Sequence, residues 1–120
     1  MDDCERTIPC FFRARAEACA PQPWLVTTEG TVTYGEALAA VARGAAGLRA
    51  AGVVAGDRVM VTARTTPAYV LAWLALMEVG AVEVPVNPIS AVAELAGVVG
   101  QVRPAAVVTD RELAPALAPV

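Results

Sequence analysis

Between Gly52 and Pro88 two short β-branched runs flank one helix-length apolar run, and few folds accept that pattern. The runs are Val59-Met60-Val61-Thr62-Ala63 and Ala81-Val82-Glu83-Val84-Pro85-Val86, with Ala68 to Met77 between them. Gly56-Asp57, Thr66-Pro67, Gly80 and Asn87-Pro88 supply the turns, so the stretch reads as strand–helix–strand. Neither strand alternates cleanly with polar residues, as expected of a parallel sheet covered by helices on both faces. The class is therefore α/β. No side chain in this stretch is an obvious catalyst.

The elements around it follow from local signals. Phe11, Phe12, Ala16 and Cys19 have helical spacing over Cys10 to Ala20, and Pro21 and Pro23 end that helix. Trp24 to Thr28 and Thr31 to Thr33, joined through Glu29-Gly30, read as a β-hairpin. Thr33 and Glu36 have capping-box spacing and open a helix with Leu38, Val41, Ala42, Ala45 and Leu48 on one stripe. Gly44 and Gly47 cost that helix propensity, so close backbone packing is their expected use. Gly52 stops it. Thr66 caps the next helix with Pro67 in its first turn, and that helix is apolar nearly all round. Tyr69 and Trp73 on it are read as core residues, with a place in a pocket wall as the alternative.

Beyond Asn87-Pro88, Ser90 is placed to cap a third amphipathic helix carrying Val92, Leu95, Ala96 and Val99. Ala105 to Thr109 forms a further buried strand. The architecture expected is an N-terminal helix and hairpin followed by a βαβαβ unit with parallel strands at 58–63, 82–86 and 105–109. With right-handed crossovers and helices on one face, the order of those strands is expected to be 3-2-1.

Composition bounds the function. A chain of 120 residues makes one domain at most, and 57% of it is apolar, above the ~45–50% of ordinary domains. It is not disordered; it has a dense core or belongs to something larger that covers its apolar faces. Net charge is −3, and the nine basic residues are all Arg, scattered from Arg6 to Arg111 rather than gathered on one face. That scatter argues against nucleic acid as a partner. Without His, neither a Ser-His-Asp nor a Cys-His arrangement can be built. Cys4, Cys10 and Cys19 lack Cys-x-x-Cys spacing and are expected to be reduced thiols of a cytoplasmic protein. The acidic start Met1-Asp2-Asp3 is unlike a secretory signal, and the longest apolar run is about half the ~20 residues of a membrane span. No phosphate-loop or dinucleotide signature is present. Glu78 and Glu83 are the carboxylates of the apolar heart; Glu78 is read as a surface helix end, Glu83 as a strand-edge residue or an Arg partner. No catalytic, cofactor-binding or metal-binding residue is assigned.

Thr33-Tyr34-Gly35-Glu36-Ala37-Leu38, Gly52 with Gly56-Asp57-Arg58-Val59, and Leu71-Ala72 resemble the start of the adenylate-forming (AMP-binding) superfamily. Gly80-Ala81-Val82, Pro85-Val86-Asn87-Pro88, Glu94-Leu95 and Val107-Val108-Thr109-Asp110 continue the resemblance, which runs from about Phe11 to Asp110. Thr66 departs from it, since relatives often carry Asn there, but a capping role survives. The resemblance implies that residues 1–120 are an incomplete N-terminal portion of an acyl-CoA synthetase-like ligase. A full-length relative joins a small carboxylic acid to ATP with Mg2+, then passes the acyl group to a thiol, usually coenzyme A. The family's phosphate loop and catalytic Lys lie downstream, so none of its functional residues carries over here. The chain alone is expected to be inactive, with the remainder of the enzyme as its partner. A truncated remnant, or a small α/β interaction or dimerisation module, is the alternative.

Overall fold

A computed structural model of the chain describes residues 6–117. The elements, in order, are α1 (Ile8–Ala18), β1 (Pro23–Thr27), β2 (Gly30–Thr33), α2 (Tyr34–Ala50) and β3 (Arg58–Thr62). They continue with α3 (Pro67–Val79), β4 (Val82–Pro85), α4 (Val92–Val102), β5 (Ala106–Thr109) and α5 (Ala114–Leu117).

The expected start signals hold, with two adjustments. Thr7 accepts from Cys10 N through its hydroxyl, so α1 begins before the apolar spacing does, and Pro9 is tolerated in its first turn. Cys10 is disulfide-bonded rather than reduced, while Cys19 is free. Thr33 Oγ1 accepts from Glu36 N at 3.2 Å and donates to Glu36 Oε1 at 3.0 Å, which opens α2. Thr66 Oγ1 accepts from Tyr69 N at 3.3 Å and opens α3. Gly80, at φ 83°, ends α3 in the left-handed conformation that L side chains avoid. Ser90 does not cap α4. Its N–H turns back to the Asn87 carbonyl, Ala91 takes the N-cap position, and no side chain there accepts a hydrogen bond.

The hairpin β1–β2 is antiparallel and its loop is Thr28-Glu29, one residue earlier than expected, because Gly30 already pairs with Thr27. Strands β3, β4 and β5 form a separate parallel sheet, as the sequence predicts, but in the order β4-β3-β5. The expected order 3-2-1 is thus replaced by 2-1-3, with β3 central. That expectation kept both helices on one face. The chain runs from β3 out to β4 and then back past β3 to β5, and two right-handed connections of that kind, the general rule, place their helices on opposite faces.

Two cores result. Val59 and Val61 on one face of β3 pack with Ala45 of α2 and with Leu76 and Val79 of α3. Phe12 and Ala16 of α1 pack with Ala37 and Val41 of α2 and with Leu74 of α3. Helices α2 and α3 meet closely where Gly44 faces Ala75: a Cβ added at Gly44 would sit 3.0 Å from Ala75 Cβ. Gly47, a turn further on, has nothing within 4 Å of that position, so the packing role belongs to Gly44 alone.

Candidate functional site

In an open parallel sheet, the place where strand order reverses leaves a crevice outside the carboxyl ends of the strands. Here that place lies between β3 and β5. A cavity of about 140 Å³ opens there, walled by Ala63, Arg64, Thr66 and Tyr69 on one side and by Val108, Thr109 and Asp110 on the other.

The two strand ends are tied across it. Thr109 Oγ1 donates to the Thr62 carbonyl at 2.7 Å. Asp110 Oδ2 accepts from both the backbone N and the Nε of Arg64 at 3.3 Å, while Oδ1 accepts from Leu113 N at 3.0 Å. Arg64 Nη2 also reaches Glu112 at 2.8 Å. Burial pushes the Asp110 carboxyl up, but the N–H groups of Arg64 and Leu113 and the guanidinium outweigh it and hold the group below its ordinary range. The sole described cation in this cavity wall is therefore committed to two carboxylates.

Beside the crevice, burial raises the pKa of Tyr69, and the neighbouring Glu83 carboxylate adds to the rise. Burial likewise lifts the Glu83 carboxyl, partly offset by the tyrosine hydroxyl, and Glu83 Oε1 has no hydrogen-bond partner among the described residues. Glu83 thus lies on the edge strand β4, one of its two expected settings, and its neighbour is a tyrosine rather than an arginine. Glu78 does pair with one: its carboxylate meets Arg13 of α1, and its carbonyl accepts from Arg49 at 3.4 Å. The two carboxylates singled out in the sequence have separate partners.

Among the described residues, no group of three His, Cys, Asp or Glu side chains is placed to hold a metal ion, and no helix is long and apolar enough to cross a membrane. Sequence reasoning missed the Arg64–Asp110–Glu112 network. Its signal was present, since Arg64 and Asp110 each follow a strand run closely, but only the strand order makes those two ends neighbours.

The fold defines an open α/β domain with an antiparallel hairpin and a three-stranded parallel sheet. The family model for the AMP-binding enzymes matches residues 12–120, and the chain belongs to that family. It is 39% identical over 72 residues to a 3-hydroxybenzoate–CoA ligase of Aromatoleum, an alignment covering 60% of this chain and 14% of the relative. It is 45% identical over 74 residues to a feruloyl-CoA synthase of Amycolatopsis, covering 61% of this chain and 15% of that protein. The fold superposes on a fatty acyl-CoA synthetase of Mycobacterium tuberculosis with a TM-score of 0.87 at 26% identity, covering 97% of this chain and 24% of the other. The chain therefore spans a small fraction of the proteins it matches.

Proposed function

We propose that residues 1–120 are the N-terminal portion of an AMP-forming acid–thiol ligase. In that reaction a carboxylate attacks the α-phosphorus of ATP, pyrophosphate leaves, and a thiol such as coenzyme A displaces AMP from the acyl-adenylate. The observation that carries the proposal is the family match along nearly the whole chain, together with relatives named as CoA ligases. Adenylyl transfer needs a cradle for phosphates and cations where negative charge develops. The residues described here do not fit ATP or Mg2+: Asp110 and Glu112 are tied to Arg64, and the chain has no Lys. No step of the reaction is routed through them. What this segment supplies is one side of the sheet crevice, held in shape by the Arg64–Asp110 clamp.

Acid-dependent ATP–pyrophosphate exchange tests the proposal on two proteins, the 120-residue chain and the same reading frame extended through a Gly-rich Ser/Thr loop and a distal Lys. The short chain is expected to be silent and the extended one active with a member of a panel of aromatic and fatty acids. Exchange by the short chain would overturn the placement of the chemistry. Silence from a folded extended protein with every acid would favour an interaction module, a reading that the exposed Val82 and Val107 on the sheet also suit.

A further inference from the structure

Cys10, expected as a reduced thiol, is half of a disulfide. Cys19 is free and the chain has three cysteines, so within one chain only Cys4 is left to be the other half. Cys4 itself lies outside the described residues.

Cys10 sits in the first turn of α1, three residues after the N-cap Thr7. Its N–H donates to Thr7 Oγ1 at 3.4 Å, and the N–H of Phe11 donates to the Thr7 carbonyl at 3.0 Å. A bridge from Cys10 back past the cap to Cys4 closes a short loop at the start of the helix. Further along, α1 has anchors of its own: Phe12 and Ala16 are buried, and Arg13 pairs with Glu78. The bridge therefore bears on the first turn more than on the rest of the helix.

Two features make the bond open to exchange. Cys10 is only half-buried and lines an open space of about 450 Å³ between the start of α1 and the end of α3. That lies within the ~300–1,000 Å³ of small-molecule sites, so a low-molecular-weight thiol can reach the bond. The first turn of a helix also favours negative charge, which stabilises a thiolate leaving at Cys10. A better leaving sulfur makes a disulfide easier to reduce. Arg13 is committed to Glu78, so the helix end itself supplies that stabilisation.

We propose that the Cys4–Cys10 bond is a thiol–disulfide switch, set by a low-molecular-weight thiol and its disulfide, that fixes or frees the first turn of α1. On reduction, one thiolate attacks the Cys4 sulfur and forms a mixed disulfide; the electron pair of the broken S–S bond leaves on Cys10, which takes a proton. A second thiolate attacks the small thiol's sulfur in that mixed disulfide, and Cys4 leaves and is protonated. Two electrons have passed from two small thiols to the two cysteines, and the small thiols end as their own disulfide. Oxidation runs the same steps backwards. None of this depends on the ligase reading.

The test equilibrates the 120-residue chain in glutathione buffers of graded thiol-to-disulfide ratio, then quenches with acid and alkylates in denaturant. Intact mass is expected to pass from one alkyl group, on Cys19, to three as the ratio rises. Hydrogen exchange over residues 7–12 is expected to quicken about tenfold on reduction, with β3 unchanged. Cys4→Ser should show the fast exchange at every ratio, and Cys19→Ser should switch as the unaltered chain does. The mass and exchange readings on the unaltered chain need no variant, so the test stands even if Cys4→Ser misfolds. Three alkyl groups at every ratio, one alkyl group at every ratio in the folded chain, a disulfide-linked dimer, or exchange in α1 that ignores the redox state would each overturn the proposal.

Discussion

Thr109 Oγ1 donates a 2.7 Å hydrogen bond to the carbonyl of Thr62, a residue 47 positions earlier in the chain. The bond joins the carboxyl ends of β5 and β3 at the point where the sheet reverses order. Thr62 is 2% exposed, so its carbonyl has little access to water as a substitute donor. Thr109→Val, nearly isosteric, is expected to cost about 1–2 kcal/mol, because a buried acceptor is left unpaired. Thr109→Ser keeps the donor and should cost less. Urea denaturation midpoints at constant slope would measure both; equal stability of the Val variant and the unaltered chain would show the bond to be dispensable.

Two glycines on one helix should respond differently to alanine. Gly47 has open space where a Cβ would go, so Gly47→Ala should stabilise by about 0.5–1 kcal/mol through helix propensity and a less flexible unfolded chain. At Gly44 the new methyl would press on Ala75 Cβ at 3.0 Å, and both atoms sit on rigid helical backbone. Gly44→Ala is therefore expected to lose more from separating α2 and α3 than it gains. Thermal unfolding of the two variants side by side checks this, and a Gly44 variant as stable as the Gly47 one would refute it.

Glu83 makes stability depend on pH in the direction opposite to a salt-bridged carboxylate. Its folded pKa is raised from the ordinary 4.5, first by burial, with the Tyr69 hydroxyl offsetting part of the rise. Between about 4.5 and the folded value the native state holds more protons than the unfolded one. This group's contribution thus falls as pH rises through that window and is flat above it. Glu83→Gln should be more stable than the unaltered chain at pH 7, with the advantage shrinking as pH falls through that window and levelling off below about 4.5. Stability measured for both proteins from pH 4 to 8 isolates the effect, and parallel curves would rule it out.

Two valines of the parallel sheet are among the exposed apolar side chains, while most of α3 is covered. Leu74, Ala75, Leu76 and Val79 of α3 are buried, while Val82 is 51% and Val107 42% exposed. Both valines lie on the face of the sheet that also carries Met60, since Val107 pairs with Met60 and Val82 with Arg58 two residues before it. The chain by itself is expected to self-associate and bind a hydrophobic dye through this face. Val82→Thr with Val107→Thr should reduce both effects, at a stability change within about 0.5 kcal/mol per site. Sedimentation velocity and dye fluorescence test it; undiminished association would place the sticky surface elsewhere.

The sequence by itself determined the elements and their pairing type. Thr33, Thr66, Gly52 and Gly80 mark helix ends through interactions within a few residues, and such local hydrogen bonds are legible without any tertiary partner. Apolar runs of strand and helix length, with turn signals between them, likewise predicted a parallel βαβαβ unit. Only the tertiary structure decided that β3 is central. Periodicity records which residues are buried, not which edge of the sheet a crossover returns to, and the chain returned past β3 rather than continuing beyond β4. Gly44 and Gly47 look alike in sequence and differ only in what faces them. The Arg64–Asp110 clamp, 46 residues apart, and the Arg13–Glu78 pair come together for the same reason. Each is a contact between distant segments, and its geometry depends on how the sheet and helices pack rather than on any local pattern of residues.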